Sequence, residues 1–242
     1  MDNPARPIIL TPMSIKTDIA IVGGGLNGPA LALALAQAGF DVIVIDALPE
    51  PVRKNAAFDG RSYALAHAST RLLDAIGIWD GIADRTQPML EIKVSDGRAG
   101  MGPLSQFYLH FDHAELEEGP MGYMCEDRIL RRAFLGAAEA EPRITLISND
   151  KVVAQSTDGL ARLTLASGAD VEAQLIIGSD GRGSGTAERA GITRTGWGYG
   201  QTALVAAIAH EKPHNGIAHQ FFMPPGPLAI LPLPGNMSSI VW

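Results

Sequence analysis

The sequence predicts an α/β protein: a Rossmann-like dinucleotide-binding unit at the amino end, with mostly strands later in the chain. Three observations predict it. The apolar run Ile19-Ala20-Ile21-Val22 breaks into Gly23-Gly24-Gly25-Leu26-Asn27-Gly28 and then into an alanine- and leucine-rich stretch, 29–38. A second apolar run, Val42-Ile43-Val44-Ile45, closes on Asp46, about twenty residues past the glycines, the separation of a βαβ unit. From Glu91 to Glu115, short alternating runs separated by Gly and Pro read as strands of a second layer.

The first element is a buried parallel strand ending in Gly-x-Gly-x-x-Gly. Gly23 permits the tight turn, Gly25 lets the backbone approach a pyrophosphate, and Gly28 lets the following helix pack closely on the strand. Phosphates would rest on the helix's first N–H groups, and Asp46 would accept the hydroxyls of an adenosine ribose. A tight βαβ turn without a ligand is the alternative. A polar, proline-containing stretch to about Asn55 follows. Ser69–Ile76 reads as a helix capped by Ser69 and stopped by Gly77, with Leu72, Leu73 and Ile76 on one face. Helical spacing returns over Asp127–Ala140, with Ile129, Leu130, Phe134 and Leu135 grouped and Pro142 beyond. Strands are expected at Thr145–Ser148, Val152–Gln155, Leu163–Ala166 and Val171–Ile177, with a hairpin at Ser167-Gly168. Further strands are expected at Ala203–His210, Ala218–Phe222, Ala229–Leu233 and Ser238–Val241. The run ending at Gly178 opens a second glycine turn, Ser179-Asp180-Gly181-Arg182-Gly183-Ser184.

Composition narrows the function. A chain of 242 residues, 46% hydrophobic, can bury a substantial core. Its formal charge of −7 excludes a nucleic-acid partner, since no basic surplus exists to neutralise phosphates. The single cysteine, Cys125, suits a reducing, cytoplasmic setting and reads as a buried structural thiol. Ile19–Ala38 is apolar enough to suggest a membrane span, but its glycines, Asn27 and Pro29 follow a phosphate turn instead. Residues 1–16 read as a loose leader without the pattern of a secretory signal. His110, Asp112, His113 and Glu115 lie on an alternating run, where the first pair faces away from the second, so no metal site is expected.

The chain resembles the amino-terminal part of the flavin-dependent aromatic hydroxylases, and among them the ubiquinone-biosynthesis hydroxylases acting on polyprenyl phenols. The resemblance runs from about Thr17 to Trp242. It rests on Gly23–Ala32, Asp46, Asp59-Gly60-Arg61 with Ala64-Leu65, Leu72–Trp79, Arg128-x-Leu130 and Gly178–Ser184. The stretches Trp197-Gly198-Tyr199-Gly200-Gln201 and Gly226-Pro227-Leu228-Ala229-Ile230-Leu231-Pro232 are the parts most specific to that subgroup. The resemblance implies a class A flavin monooxygenase fold with flavin adenine dinucleotide (FAD) as cofactor, and NAD(P)H and dioxygen as co-substrates. Gly23, Gly25, Gly28 and Asp46 would hold the adenosine diphosphate, and Arg61 and Arg128 the pyrophosphate and ribityl region. Asp180 and Gly181 would serve both flavin and nicotinamide binding. The substrate it implies is a lipophilic phenol, with peripheral membrane contact or association with other ubiquinone-biosynthesis proteins. It implies FAD-binding segments at 17–80 and 123–192, and substrate-domain strands at 81–122 and 193–242.

Two departures qualify this. The family's arginine three residues after the turn serine is replaced by Ala187, which bears on nicotinamide docking. No Gly-Asp dipeptide occurs, although the family holds the ribityl chain with one. The chain is therefore expected to be a fragment that holds FAD weakly or not at all, hydroxylates nothing alone and leaves an apolar patch near Ala229–Leu233. A form extended through a Gly-Asp turn is expected to recover flavin. The alternatives are a non-catalytic nucleotide-binding remnant and a Rossmann-type nicotinamide oxidoreductase.

Overall fold

The computed structural model describes residues 14–97 and 108–242. In chain order the first elements are β1 (Ser14–Val22), α1 (Asn27–Gln37), β2 (Val42–Asp46), α2 (Glu50–Arg53), β3 (Ser62–Leu65), α3 (His67–Ala75), β4 (Gln87–Met89), β5 (Glu91–Asp96) and β6 (Tyr108–Asp112). Then follow β7 (Gly122–Glu126), α4 (Asp127–Ala140), β8 (Ile144–Ser148), β9 (Val152–Ser156), β10 (Ala161–Leu165), β11 (Asp170–Gly178) and α5 (Gly185–Arg189). The last strands are β12 (Val205–Ala209), β13 (Ile217–Met223), β14 (Gly226–Leu233) and β15 (Met237–Val241).

Contacts divide the chain into two units, each discontinuous. The first holds residues 1–53 and 137–194, the second 54–136 and 195–242. These divisions fall earlier than the sequence suggested at 80/81, and later at 122/123. The reason is long-range strand pairing: β3 pairs antiparallel with β7, and β7 with β4, which draws residues 54–80 and 123–136 into the second unit.

The first unit is a six-stranded sheet in the order β8-β2-β1-β11-β10-β9. Strands β8, β2, β1 and β11 run parallel, as apolar runs such as Val42–Ile45 require when buried on both faces. One face carries Ala20, Val22, Ile43, Ile45, Leu163, Leu165 and Val171 in a common core. On the other, α1 lies against β1 through Gly28, where an added Cβ would sit 3.5 Å from Ile21 Cγ2. Ile21, Val42, Val44 and Ile45 are almost fully buried, each worth about 1.5–3 kcal/mol. The expected hairpin joins β10 and β11 through Gly168, whose φ of +88° favours glycine.

The second unit holds a six-stranded sheet, β12-β15-β14-β13-β5-β6, and a three-stranded one, β3-β7-β4. Met89 and Met124 of the small sheet pack with Ala218, Leu231 and Leu233 of the large one. Cys125 is fully buried, and burial, then the Glu126 carboxylate, pushes its thiol up to about 12; it is inert at neutral pH.

Several local expectations are corrected. The α3 N-cap is Ala66, with no side-chain cap, and Ser69 lies inside the helix. Leu72 is 51% exposed, while Leu73 and Ile76 are buried, because only those two fall on the covered side of a short helix. His113–Glu115 form a 3-10 turn after β6, capped at its start by an Asp112 carboxylate that accepts the Ala114 N–H, so the alternating-strand reading fails there. Within Ala229–Leu233, Pro232 and Leu233 are buried, while Ala229, Ile230 and Leu231 are half-buried. Residues 1–13 of the expected leader, and 98–107 of the expected strand region, lie outside the described residues.

Candidate functional site

The carboxyl ends of β1, β2 and β11 meet in the first unit. The Gly23 N–H donates to the Ile45 carbonyl at 2.8 Å, and the Ser179 N–H to the Val22 carbonyl at 2.7 Å, so the three strand ends are tied edge to edge. This is where open parallel sheets hold ligands.

Each glycine of the turn meets a different constraint. Gly23 takes φ +113°, and a Cβ there would collide with the Ser179 carbonyl and crowd the Asp180 N at 2.7 Å. A Cβ on Gly28 would collide with the Gly23 carbonyl oxygen. Gly25 is exposed and a Cβ on it would meet nothing within 4 Å, leaving open space over the backbone. The first turn of α1 begins at Leu26 with no side-chain cap and no acid, so its N–H groups retain their capacity for an anion.

Asp46 closes the turn from β2. One carboxylate oxygen accepts the Gly24 N–H at 2.5 Å and the other accepts the Leu48 N–H at 2.7 Å. Each carboxylate oxygen has two acceptor positions, so both can still accept a hydroxyl. A cleft of about 460 Å³ opens here, lined by Gly23, Asp46, Leu48, Lys151, Asp180 and Arg189 among others.

Asp180 stands at the end of β11. It accepts Ser184 Oγ at 2.5 Å, and the N–H and Oγ1 of Thr186, both at 3.0 Å. Burial acts to raise its carboxyl, but these three bonds outweigh it and hold the group below the ordinary aspartate range. Gly181 takes φ +80° in the same turn. Ala187 donates its N–H to Ser184 Oγ at 3.0 Å and offers no charge.

The structure therefore gathers Gly23, Gly25, Gly28, Asp46, Asp180 and Gly181 on one edge of the first unit. Arg61 and Arg128 come together in the second unit, brought there by the β3–β7 pairing. Both have carboxylate partners. Arg61 donates from Nε and Nη2 to Asp59 at 2.9 and 2.7 Å, and its Nη2 lies 3.2 Å from Asp127. Arg128 donates to Glu126 at 2.5 Å and to the Ala56 carbonyl at 3.1 Å, with its guanidinium 5.1 Å from the Phe58 ring centre. A guanidinium has five N–H donors, so each keeps donors for an anion.

Two participants escape sequence reasoning. Arg53 is 4% exposed beside the glycine turn, donating to Ser148 Oγ at 2.5 Å and to the Gly24 carbonyl at 3.5 Å. It sits in a polar, proline-containing stretch with no periodicity, and its burial comes from packing alone. Asp127, at the start of α4, is 2% exposed and accepts from Arg131 at 2.9 Å and from the Tyr63 hydroxyl at 3.0 Å. The signal for it was its place between Glu126 and three arginines.

The open backbone at Gly25, the uncapped helix start and the acid at the next strand end together fit the adenosine diphosphate end of a dinucleotide. Comparison with known proteins agrees. Ubiquinone hydroxylase UbiL of Rhodospirillum rubrum is 46% identical over 227 residues, covering 93% of this chain and 51% of the relative. The 3-demethoxyubiquinol 3-hydroxylase of Escherichia coli is 38% identical over 229 residues, covering 93% of this chain and 57% of its own length. The chain thus spans about half the length of the curated relatives it matches. Two solved structures share the fold, each with a TM-score of 0.77: PqsL of Pseudomonas aeruginosa, a probable FAD-dependent monooxygenase, and p-nitrophenol 4-monooxygenase PnpA of Pseudomonas putida. PqsL is 19% identical, over 93% of this chain and 60% of its own; PnpA is 20% identical, over 95% and 57%. The FAD binding domain family matches residues 16–232, and the chain belongs to it.

Proposed function

We propose that this chain forms the FAD-binding portion, and part of the substrate-binding portion, of a flavin-dependent hydroxylase that acts on a phenolic ring. The likeness to ubiquinone hydroxylases over 93% of the chain carries this reading, and it supports a polyprenyl phenol of ubiquinone biosynthesis as the substrate. When bound, the flavin would accept a hydride from NAD(P)H and use dioxygen to place one oxygen atom on the ring, the other leaving as water.

The protein's own residues supply binding and orientation. The N–H groups of α1's first turn and the open backbone at Gly25 would receive the pyrophosphate. Asp46 would accept the ribose hydroxyls while its bonds to Gly24 and Leu48 keep it oriented. Asp180, ionised and fixed by Ser184 and Thr186, would orient the turn carrying Gly181. In the second unit, Arg61 and Arg128 would offer their remaining donors to phosphate or ribityl oxygens, their carboxylate partners limiting where the guanidinium planes can point. No helix among the described residues is long and apolar enough to cross a membrane. A cytoplasmic protein touching the membrane surface would meet a lipophilic phenol there.

The test is a form extended through a Gly-Asp turn, loaded with flavin and supplied with NADH or NADPH, dioxygen and a phenol. Phenol-stimulated nicotinamide oxidation with a hydroxylated product supports the reading. Oxidation that ignores the phenol and yields no product overturns it.

A further inference from the structure

The large sheet of the second unit has two unlike faces. Ala218, Ile92 and Leu231 point into the apolar core shared with Met89 and Met124. The opposite face is fixed by register: Lys93 pairs with His219 and Ser95 with Phe221 across the parallel β5–β13 pair, so these four side chains share one side. Across β13, Ile230 and Leu228 of β14 pair with His219 and Phe221 and extend that side with apolar surface.

Among the described residues, two buried polar atoms on this face have no hydrogen-bond partner: Ser95 Oγ and His219 Nδ1. Ser95 is 3% exposed. Nearby polar groups are already engaged. Glu91 accepts from Lys93 at 2.8 Å and is bonded to His110 at 2.7 Å. The His219 ring is stacked on Phe221, centroids 5.8 Å apart and planes within 5°, which leaves the ring turned edge-on to its surroundings. Burial, then the Lys93 ammonium, holds the imidazole below its ordinary value against the opposing pull of Glu91. The ring is therefore neutral at pH 7, with one nitrogen able to accept. Desolvated polar atoms are normally bonded to something, and an unbonded pair on one face calls for a group that can serve both.

We propose that Ser95 and His219 recognise the hydroxyl of an aromatic substrate, which donates to His219 Nδ1 and accepts from Ser95 Oγ. Ser95 and His219 are diagonal neighbours on one face of the parallel β5–β13 pair. Phe221, Ile230 and Leu228 offer apolar surface to the ring. This deepens the hydroxylase reading and rests on it for the substrate class, but it assigns substrate recognition to residues remote from the glycine turn in sequence. His219 is thereby specificity-determining: an aromatic ether of the same shape can still accept from Ser95 Oγ but leaves His219 Nδ1 unbonded.

The test titrates the 242-residue chain with 2-methoxyphenol and with 1,2-dimethoxybenzene, which lacks the donor hydroxyl. Imidazole nitrogen NMR and calorimetry read the result. The phenol should bind about tenfold more tightly than the diether, the worth of one net hydrogen bond, and should move the His219 Nδ1 resonance. His219→Phe, checked for folding by circular dichroism, should lose most of that preference and His219→Asn should recover part of it, whereas Ser95→Ala should weaken the phenol and the diether alike. A chain that shows no preference, a folded His219→Phe that keeps it in full, or a folded Ser95→Ala that binds both ligands as before would overturn the assignment. An FAD titration run alongside separates the two readings. FAD binding without phenol preference overturns only the sheet-face assignment, whereas phenol preference with no FAD binding even by a form extended through a Gly-Asp turn overturns only the flavin reading.

Discussion

At the scale of single residues, the glycine turn separates folding from binding. Gly23 and Gly28 are glycines because a Cβ at either position collides with backbone. Gly25 is different, since nothing within 4 Å opposes a side chain there. Gly23→Ala and Gly28→Ala should therefore lose roughly 1–3 kcal/mol of stability or more, the range for overpacking, read from denaturant melts. Gly25→Val should melt like the unaltered chain yet fail to bind FAD, because its side chain takes the pyrophosphate's space. Retention of FAD with unchanged affinity would refute the role of Gly25. Asp46→Ala should weaken binding of the adenosine end by roughly 1.5–3 kcal/mol, the range for hydrogen bonds to a charged group. It should also loosen the turn, as the Gly24 and Leu48 N–H groups lose their acceptor. Calorimetry with ADP measures the first effect and amide exchange at Gly24 the second.

At the scale of elements, two strand-to-helix junctions are held by buried or part-buried carboxylates. Asp127, where β7 passes into α4, anchors Arg61, Arg131 and the Tyr63 hydroxyl. Asp127→Ala should cost about 3 kcal/mol, as removal of one partner from a buried ionic cluster does, seen as a lowered unfolding midpoint. Asp180, where β11 passes into the second glycine turn, has a folded pKa below its unfolded value. Its contribution is thus fully present above the ordinary aspartate range and is lost as pH falls through the lower folded value. The stability gap between the unaltered chain and Asp180→Asn should be full at neutral pH and close below about pH 4. A gap that persists unchanged into acid would show that the bonds from Ser184 and Thr186 do not depend on ionisation. Local patterns made these junctions legible in part. The β1–turn–α1–β2 unit and the bounds of α4 follow from apolar runs, glycine spacing and helical periodicity. The Ala66 cap of α3 has no such signal, because nothing in its side chain marks a helix start.

At the scale of the whole molecule, the chain passes between two units three times, after Arg53, Gly136 and Arg194. Alternation of helix and strand foretold an α/β portion with interleaved strands, but the positions of the crossings depend on pairings such as Ser62 with Glu126, 64 residues apart. Periodicity carries no information over that distance. The same holds for Arg53, whose burial against Gly24 follows from how α2 folds back on the turn, and for the shared face of Ser95 and His219, which needs the parallel register of β5 and β13. The acids and glycines of the dinucleotide site were legible because each answers a local demand of a βαβ turn. The measurement that bears most directly on that site is a titration of the chain with ADP, followed through the backbone amides by heteronuclear NMR. Adenosine diphosphate recognition at the turn predicts saturable shifts centred on Gly24, Gly25, Asn27 and Gly28, absent in folded Gly25→Val. Shifts confined to other residues, or no saturable shift at all, would contradict it.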